Sequence, residues 1–312
     1  MRADVENGRA VIVGSGTGLS DNPAQLNVNF PMSVDIENGR VTMDVDAAAT
    51  GSLVWRGDLE SLWRLLPVDD HIVDGTVELN ASFDGTLASP QITGGFRLSG
   101  GAYEYLPAGT ILRNLDLDLR AENTETFQFS LSANDRNQGV VRAAGEVGRS
   151  AVGEPWEADI RATLDRISLV NRDDVTLGAT GELAYAGPLL AGTLGGELQV
   201  VRSTIRLDAT YAPDIPLLRE TPVSSGFTVD GYDDQATIGL NVMLDVEELL
   251  RAEGRGLESF WRGRLFVGGD IDQPELAGSI TLDRGTFTFL GQTFTLDSGT
   301  ITFTGGGDID PA

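Results

Sequence analysis

Pairs of aspartates with one residue between the two members have the spacing in this sequence that best fits a metal site. Asp116/Asp118, Asp270/Asp272 and Asp308/Asp310 are pairs of this kind. Carboxylate oxygens are the usual ligands of hard cations such as Ca²⁺. The first pair equally fits the polar face of a strand whose other face carries Leu115, Leu117 and Leu119. The tandem glycine-rich nonapeptides of a calcium β-roll are absent, and we therefore expect no bound metal ion.

The composition offers few groups for acid–base or nucleophilic chemistry. His71 is the only histidine, Cys is absent, and all 22 basic residues are Arg. These counts exclude a His-dependent triad, a multi-histidine zinc site and a lysine Schiff base. The 47 acidic residues leave a glycosidase-like carboxylate pair open, but no aromatic cluster marks a sugar-binding cleft. We expect His71 to lie in a surface loop, and we expect no catalytic residue, no cofactor and no enzymatic activity.

A glycine-rich stretch, VIVGSGTGLS at residues 11–20, has part of a dinucleotide-binding pattern. That fingerprint needs a further glycine where Leu19 stands, and a phosphate-binding loop needs a lysine, which the chain lacks. We therefore interpret the stretch as a strand followed by a turn.

The chain is strongly acidic, with a formal net charge of −25 over 312 residues. Such acidity repels nucleic acid and anionic membrane surfaces, and it is typical of a polar coat around a β-rich protein. No apolar run is long enough to span a bilayer as a helix, and the opening MRADVENGRA lacks the regions of a secretion signal. Either the protein is cytosolic, or the chain is a piece of a protein whose targeting segment lies elsewhere.

Alternation of apolar and polar residues is the dominant pattern, and it predicts β-strands separated by short turns. In GSITLDRGTFTFLGQTFTLDSGTITFTGG, residues 278–306, Phe, Ile and Leu alternate with Thr in four successive short strands. The same alternation recurs at residues 77–83, 115–119, 127–131, 160–164, 240–246 and 265–267. One short amphipathic helix is predicted near residues 58–66, before Pro67. Residues 246–254 could form a second helix, but the alternation leading into them favours a strand.

A repeated module accounts for much of the chain. Residues 85–106 align without gaps with residues 269–290, and residues 187–207 are a weaker third copy. The first two copies share Gly85/Gly269, Pro90/Pro274, Gly94/Gly278, Leu98/Leu282, Gly101/Gly285 and Leu106/Leu290. Nothing in the module is reactive, and the wide spacing of the copies favours an elongated sheet over a compact sandwich. We divide the chain into segments 1–74, 75–180 and 181–312.

The end of the chain carries a specific combination of motifs. Residues 253–312 contain a GRGL step, a Gly…Pro break, an RGTFTFLG strand and a final G-x-I-x-F-x-GG motif. Their sequence is EGRGLESFWRGRLFVGGDIDQPELAGSITLDRGTFTFLGQTFTLDSGTITFTGGGDIDPA. With these motifs and its upstream repeats, the chain resembles the C-terminal region of the TamB family, within the AsmA-like repeating β-groove superfamily. The resemblance covers most of residues 75–312.

The resemblance implies an all-β fold, an elongated curved sheet that forms an open trough (a β-taco) with a hydrophobic interior. It implies a periplasmic component of the translocation and assembly module, anchored to the inner membrane in full-length members. This chain has no such anchor, and the last strands of the family would be expected to follow DIDPA, so we expect either a fragment of the C-terminal region or a truncated gene product. The implied functions are phospholipid transport between the two membranes and assembly of outer-membrane proteins such as autotransporters. The implied partners are phospholipid acyl chains, an outer-membrane barrel of the TamA/BamA type and unfolded outer-membrane proteins.

The apolar side chains of the module would then line a lipid groove. The predicted lining residues are Phe96, Leu98, Tyr103, Tyr105, Leu198, Val200, Ile205, Leu207, Ile280, Leu282, Phe287, Phe289, Phe294, Leu296, Ile301 and Phe303. A structural β-solenoid or adhesin-like scaffold without lipid transport stays open, because its strands would alternate in the same way. A glycan-active enzyme is the third alternative.

Overall fold

The computed structural model describes residues 2–6, 9–16, 24–35, 40–43, 45–63, 70–86, 88–151, 153–207 and 237–306. Within these ranges the chain forms 18 β-strands and one short α-helix, α1 (Leu59–Trp63). The strands are β1 (Arg2–Glu6), β2 (Arg9–Gly16), β3 (Ala24–Asp35), β4 (Arg40–Met43), β5 (Thr50–Asp58), β6 (His71–Gly85), β7 (Pro90–Tyr105), β8 (Thr110–Ala121), β9 (Thr126–Asn134), β10 (Val140–Gly148), β11 (Glu157–Asn171), β12 (Val175–Pro188), β13 (Thr193–Arg206), β14 (Gly239–Gly254), β15 (Leu257–Gly269), β16 (Pro274–Phe289), β17 (Gln292–Leu296) and β18 (Thr300–Thr304). The prediction of an all-β fold is confirmed.

These strands form one sheet in which neighbours in sequence are nearly always neighbours in space. Pairing is antiparallel from β5 through β13 and again from β14 through β16. β17 and β18 pair with opposite halves of β16. Between these two runs, β13 and β14 pair in parallel, and a parallel step requires a crossover of a dozen or more residues. The connecting residues 208–236 lie outside the described ranges.

In the part of the chain that the structure describes, all strands belong to this one sheet, so there is no second sheet to pack on it. Substantial contacts join strands that are neighbours in the sheet; the exceptions are α1 against β5 and β6, and β8 against β11. The molecule is therefore a single long, curved sheet and not a closed sandwich.

A row of β-bulges crosses the sheet, in most strands nearer to one end than to the other. Register shifts fall at Asp74/Thr76, Leu98/Gly101, Arg113/Asp116, Leu164/Ile167, Thr176/Gly178, Gln199/Thr204, Val246/Leu250 and Phe260/Trp261. Asn114, Arg166 and Arg202 adopt positive φ angles of 49°, 50° and 50° at this level. Since each bulge bends its strand and increases its twist, a row of bulges folds the sheet lengthwise.

We call this row the fold line and the two halves of the sheet the wide wall and the narrow wall. The wide wall includes β9 and β10, which end at the fold line, because Asn134 pairs with Arg113 and Val140 with Asp165. The narrow wall lacks these two strands. In β7, for example, residues 90–98 belong to the wide wall and residues 101–105 to the narrow wall.

The hydrophobic core follows the fold line. Its buried side chains include Val73, Val77, Leu98, Leu115, Ala133, Leu164, Ile167, Ala179, Leu198, Val200, Val246 and Ile280. Farther out on both walls, apolar side chains on the same face are mostly only half-buried. The core is therefore mainly a seam along the fold line, with further buried residues such as Ala158 and Val242 farther out on the wide wall.

The repeated module corresponds to one kind of strand, since its three copies form β7, β13 and β16. The glycines Gly94, Gly196 and Gly278 occupy the same position in the three copies, with φ of 137°, 149° and 120°. A Cβ atom on any of them would overlap the carbonyl oxygen of the neighbouring strand. The module thus repeats a glycine because the backbone conformation and the close approach of two strands both exclude a side chain.

Other predictions about local structure have mixed outcomes. The predicted helix near 58–66 is confirmed as α1, and residues 246–254 lie in β14, as the alternation indicated. In the stretch 11–20, residues up to Gly16 lie in β2 and the rest lie outside the described ranges. The proposed segment boundaries at 74/75 and 180/181 fall within β6 and β12, and the segmentation remains a prediction.

We predict that Gly196→Ala destabilises the protein by more than about 2 kcal/mol, because alanine is strained at this φ and its Cβ overlaps the oxygen of Glu182. Gly239→Ala is the matched control: its Cβ would meet only ordinary contacts, the nearest at 3.6 Å. The control should stay within about 0.5 kcal/mol of wild type. Urea unfolding followed by circular dichroism measures both, and equal effects would contradict the structural role of Gly196.

Candidate functional site

The register of the sheet collects apolar side chains into rows on one face, which we call the apolar face. One row of cross-strand partners on the wide wall runs through Val77, Leu98, Leu117, Leu131, Ala143, Ala162 and Leu183. The next row runs through Leu79, Phe96, Leu119, Phe129, Gly145, Ile160, Tyr185 and Leu194. Neither row contains a charged residue.

The apolar face is continuous along the sheet. One buried cluster is centred on Val77, Leu98 and Leu115, and a second on Leu164, Ile167 and Leu198. Leu112 and Val141 pack against both clusters. The short hairpin β9–β10 therefore does not interrupt the apolar lining.

The register of the strands places the 16 predicted lining residues on the apolar face, but their side chains differ in how much of their surface is exposed to solvent. Leu98, Leu198, Val200 and Ile280 are buried at the fold line. Leu207, Phe289 and Phe294 are exposed near the rim of the narrow wall. The other members, half-buried, are Phe96, Tyr103, Tyr105, Ile205, Leu282, Phe287, Leu296, Ile301 and Phe303. That lipid occupies this face remains a prediction.

The opposite face carries the charged side chains, many of them in cross-strand ion pairs. Arg97 reaches Asp118 on the next strand at 2.8 Å, and Arg264 reaches Asp245 at 2.7 Å; Arg120, on the same strand as Asp118, also reaches it at 2.7 Å. The hydrogen bond from Arg97 holds the pKa of Asp118 below its ordinary value. Exposed pairs of this kind contribute little to stability, so their main effect is to make this face polar.

Two hollows of the surface also lie on the polar face. One is bordered by Arg161, Thr180 and Glu197, and the other by Arg97, Ser130 and Arg142. On the apolar face, side chains such as Phe96, Leu282 and Phe303 are only half-buried, so this face is partly open to solvent.

Among the residues that the structure describes, the aspartate pairs form no metal site, because no three metal-ligating side chains come together there. Asp116 and Asp118 lie on the polar face, where Asp116 accepts a hydrogen bond from the Gly100 backbone at 3.0 Å. Asp270 caps a turn by accepting the backbone N–H groups of Asp272 and Gln273 at 3.1 Å and 2.8 Å. Asp308 and Asp310 lie outside the described ranges.

The expectation that His71 lies in a surface loop is wrong. His71 begins β6, its Nδ1 lies 2.8 Å from the Tyr103 hydroxyl, and its ring stacks on Tyr105 at 4.9 Å between centroids. Burial, with a smaller effect of Tyr105, raises the pKa of Tyr103. The sequence misled here because Asp69 and Asp70, which directly precede His71, suggested a loop, whereas the strand begins at His71 itself.

Where β9 and β10 end, β8 and β11 meet directly at the rim of the narrow wall. The Thr110 hydroxyl donates to the Leu169 carbonyl at 2.6 Å, and the Asn171 N–H donates to the Ala108 carbonyl at 2.8 Å. These bonds close the gap that the short hairpin would otherwise leave. Both walls therefore remain continuous.

Asp135, at the tip of the short hairpin, anchors it to β11. It is 7% exposed, and its carboxylate accepts the backbone N–H groups of Asn137, Gly139 and Ser168 at 2.7, 2.7 and 2.8 Å. Burial alone would raise the pKa of Asp135, but these hydrogen bonds outweigh it and lower the pKa. Sequence reasoning missed this residue; the D-x-x-x-G spacing of Asp135 and Gly139 was the available signal.

Within the described ranges, no helix has the length and hydrophobicity to cross a membrane. The family model described as the TamB C-terminal domain matches residues 125–312, more than half of the chain. No curated protein and no solved structure matches.

We predict that Asp135→Asn lowers the free energy of unfolding at pH 7 by about 2 kcal/mol, because an amide NH₂ would face backbone N–H donors. Because the pKa of Asp135 is lower in the folded state than in the unfolded state, its ionised carboxylate stabilises the fold fully above the unfolded pKa, near 3.9. This stabilisation is lost as the pH falls through the pKa of the folded state. The difference from wild type should therefore shrink in acid.

The control for this prediction is Asp159→Asn, which removes the same charge from an exposed position in β11. Urea unfolding between about pH 3 and pH 7 measures all three proteins. A difference between wild type and Asp135→Asn that stays constant over this range would contradict the role of the carboxylate.

Proposed function

The chain belongs to the TamB family, and we propose that its apolar face is a groove that carries phospholipid acyl chains between the inner and outer membranes. The family belongs to the translocation and assembly module, acts in outer-membrane biogenesis in the cell envelope and is not enzymatic. The lipid cargo and the lining residues are our proposal.

The observation that carries the proposal is the half-exposed apolar face without a covering layer. Soluble proteins rarely leave contiguous apolar patches larger than a few hundred Å² exposed unless the patch binds something. Here half-buried Leu, Ile, Phe and Tyr side chains continue from β6 to β18 along both sides of the fold line. A bound acyl chain would cover the apolar side chains that the sheet alone leaves half-exposed.

The energetics favour an unbroken lining over a series of separate sites. Exposing an acyl chain to water costs about 0.8 kcal/mol per CH₂ group, or on the order of 12 kcal/mol for a long chain. Strands β6 to β18, at about 4.8 Å each, extend an apolar path over several tens of Å. An acyl chain on that path would stay in contact with hydrocarbon throughout.

The division of the two faces supports the same function. Charged pairs and polar hollows lie on the face opposite the apolar rows, and they keep the sheet in aqueous solution. Lipid headgroups would remain at the open side of the groove, in water, while only the tails enter. Phospholipids fit this arrangement because they combine a polar head with long apolar tails.

The proposed partners and location follow from family membership. We propose that the protein acts in the periplasm with an outer-membrane barrel of the TamA/BamA type, and that it assists assembly of outer-membrane proteins such as autotransporters. An edge of the sheet offers unpaired backbone groups to which a strand of such a partner could add.

A scaffold without lipid is the competing function. A scaffold would need the same sheet and the same polar face, but no ligand bound to the apolar face. The continuous half-exposed rows favour the groove, because a scaffold gains nothing from leaving them uncovered.

The test is lipid content. We expect the gently purified chain to retain about one or more phospholipids, measured by mass spectrometry after solvent extraction. Phe96→Asp, which places a charge on the apolar face, should retain less than about a third of that amount. Thr93→Asp is the matched control, because Thr93 is exposed on the polar face of the same strand.

Circular dichroism and urea unfolding establish that each variant is folded. Wild-type protein that is folded and free of lipid would overturn the groove and favour the scaffold. Equal lipid in Phe96→Asp and Thr93→Asp would place the lipid elsewhere.

A further inference from the structure

The hairpin formed by β16 and β17 has an exposed apolar tip. Phe289 is 57% exposed, Leu290 87% and Phe294 50%. Phe287 stacks on Phe289 with 6.2 Å between ring centroids and pairs across the hairpin with Phe294. We call residues 285–296 the aromatic hairpin; it lies at the rim of the narrow wall.

The aromatic hairpin carries no charge, although the chain as a whole has a net charge of −25. Its sequence, GTFTFLGQTFTL, contains only Gly, Thr, Gln, Phe and Leu. Burying this surface therefore requires no charged group to leave water, which is the main cost of membrane contact for an acidic protein.

Leu290 also has an unfavourable backbone conformation. Leu290 and Gly291 have φ of 49° and 79°, the left-handed pair of a two-residue type I′ turn, which favours Asn-Gly. Seven non-glycine residues of the described ranges have positive φ; six of them are polar, and Leu290 is the exception. An apolar residue that is both strained and exposed is poorly explained by folding.

The neighbouring turn on the same rim provides an internal comparison. Between β14 and β15, Arg255 and Gly256 have φ of 51° and 88° and form the same kind of turn. The two hairpins are adjacent, since the Thr288 N–H donates to the Gly256 carbonyl at 2.8 Å. The first residue of one turn is therefore an arginine, and the first residue of the other is a leucine. This difference indicates that the leucine is a feature of the aromatic hairpin and not of this type of turn.

We propose that the aromatic hairpin inserts its tip into the surface of a lipid bilayer. This inference rests on the proposed function, because Phe287 and Phe294 belong to the apolar face and would connect the groove to the bilayer interior. An acyl chain could then pass between bilayer and groove without crossing water. The absence of charge favours a bilayer with zwitterionic headgroups, such as phosphatidylcholine or phosphatidylethanolamine.

The experiment is flotation of the purified chain with phosphatidylcholine vesicles. We expect wild type to float, and we expect Leu290→Asn to bind about tenfold more weakly, because it removes the most exposed apolar side chain of the tip. Asparagine is favoured in this turn, so the variant should be at least as stable as wild type in urea, and lost binding will not reflect unfolding.

The matched control is Leu190→Asn, in the turn before β13 at the opposite rim, where Leu190 is 53% exposed. It should float like wild type. Wild type that does not float, or equal loss in the two variants, would overturn the proposal. Wild type that fails to float but forms a dimer that Leu290→Asn dissociates would assign the tip to self-association instead.

Lipid content, measured on the same samples, separates this inference from the groove. Leu290 lies at the tip and not on the groove lining, so Leu290→Asn should retain as much copurified phospholipid as wild type. Flotation that depends on Leu290 in a lipid-free chain would overturn the groove and keep the membrane contact. If the chain contains lipid but Leu290→Asn floats as well as wild type does, the membrane contact is overturned and the groove is kept.

Discussion

The row of β-bulges is the constraint on which the rest of the structure depends. Twist alone leaves a long antiparallel sheet open, and a lengthwise groove also requires the strands themselves to bend. Each extra residue at the fold line bends one strand, and because the bulges stand at the same level in successive strands, the bends add into one lengthwise fold. The buried seam and the two half-exposed walls follow from that alignment.

Alternation then separates the chemistry of the two faces. Because neighbouring residues in a strand point to opposite sides, the same strands supply an uncharged apolar face and a face rich in Arg, Asp, Glu and Thr. The aspartates that suggested a metal site have a simpler role in this context. Asp118 pairs with two arginines and Asp270 caps a turn. Asp135, which belongs to none of those pairs, binds a short hairpin to the strand beside it.

Much of the fold was predictable from local pattern, and the remainder depends on pairings between distant strands. Alternation identified the strands, and the repeated glycine at Gly94, Gly196 and Gly278 identified equivalent ones. The parallel step from β13 to β14 could not be read from sequence, because parallel and antiparallel strands alternate alike. The bulges and the early end of β9 depend on register, which residues on other strands determine. For the same reason, the sequence showed that Phe96, Leu119 and Phe129 lie on the apolar side of their own strands. It did not show that they are neighbours in one row across the sheet.

The two walls differ in strand number, and this difference shapes the whole molecule. Between β8 and β11 the wide wall contains two additional strands, whereas the narrow wall is closed directly by the bonds of Thr110 and Asn171. At about 4.8 Å per strand, the outer rim of the wide wall is longer by roughly 10 Å over this interval. The axis of the trough must therefore curve toward the narrow wall, as a wedge inserted on one side turns a straight channel into an arc.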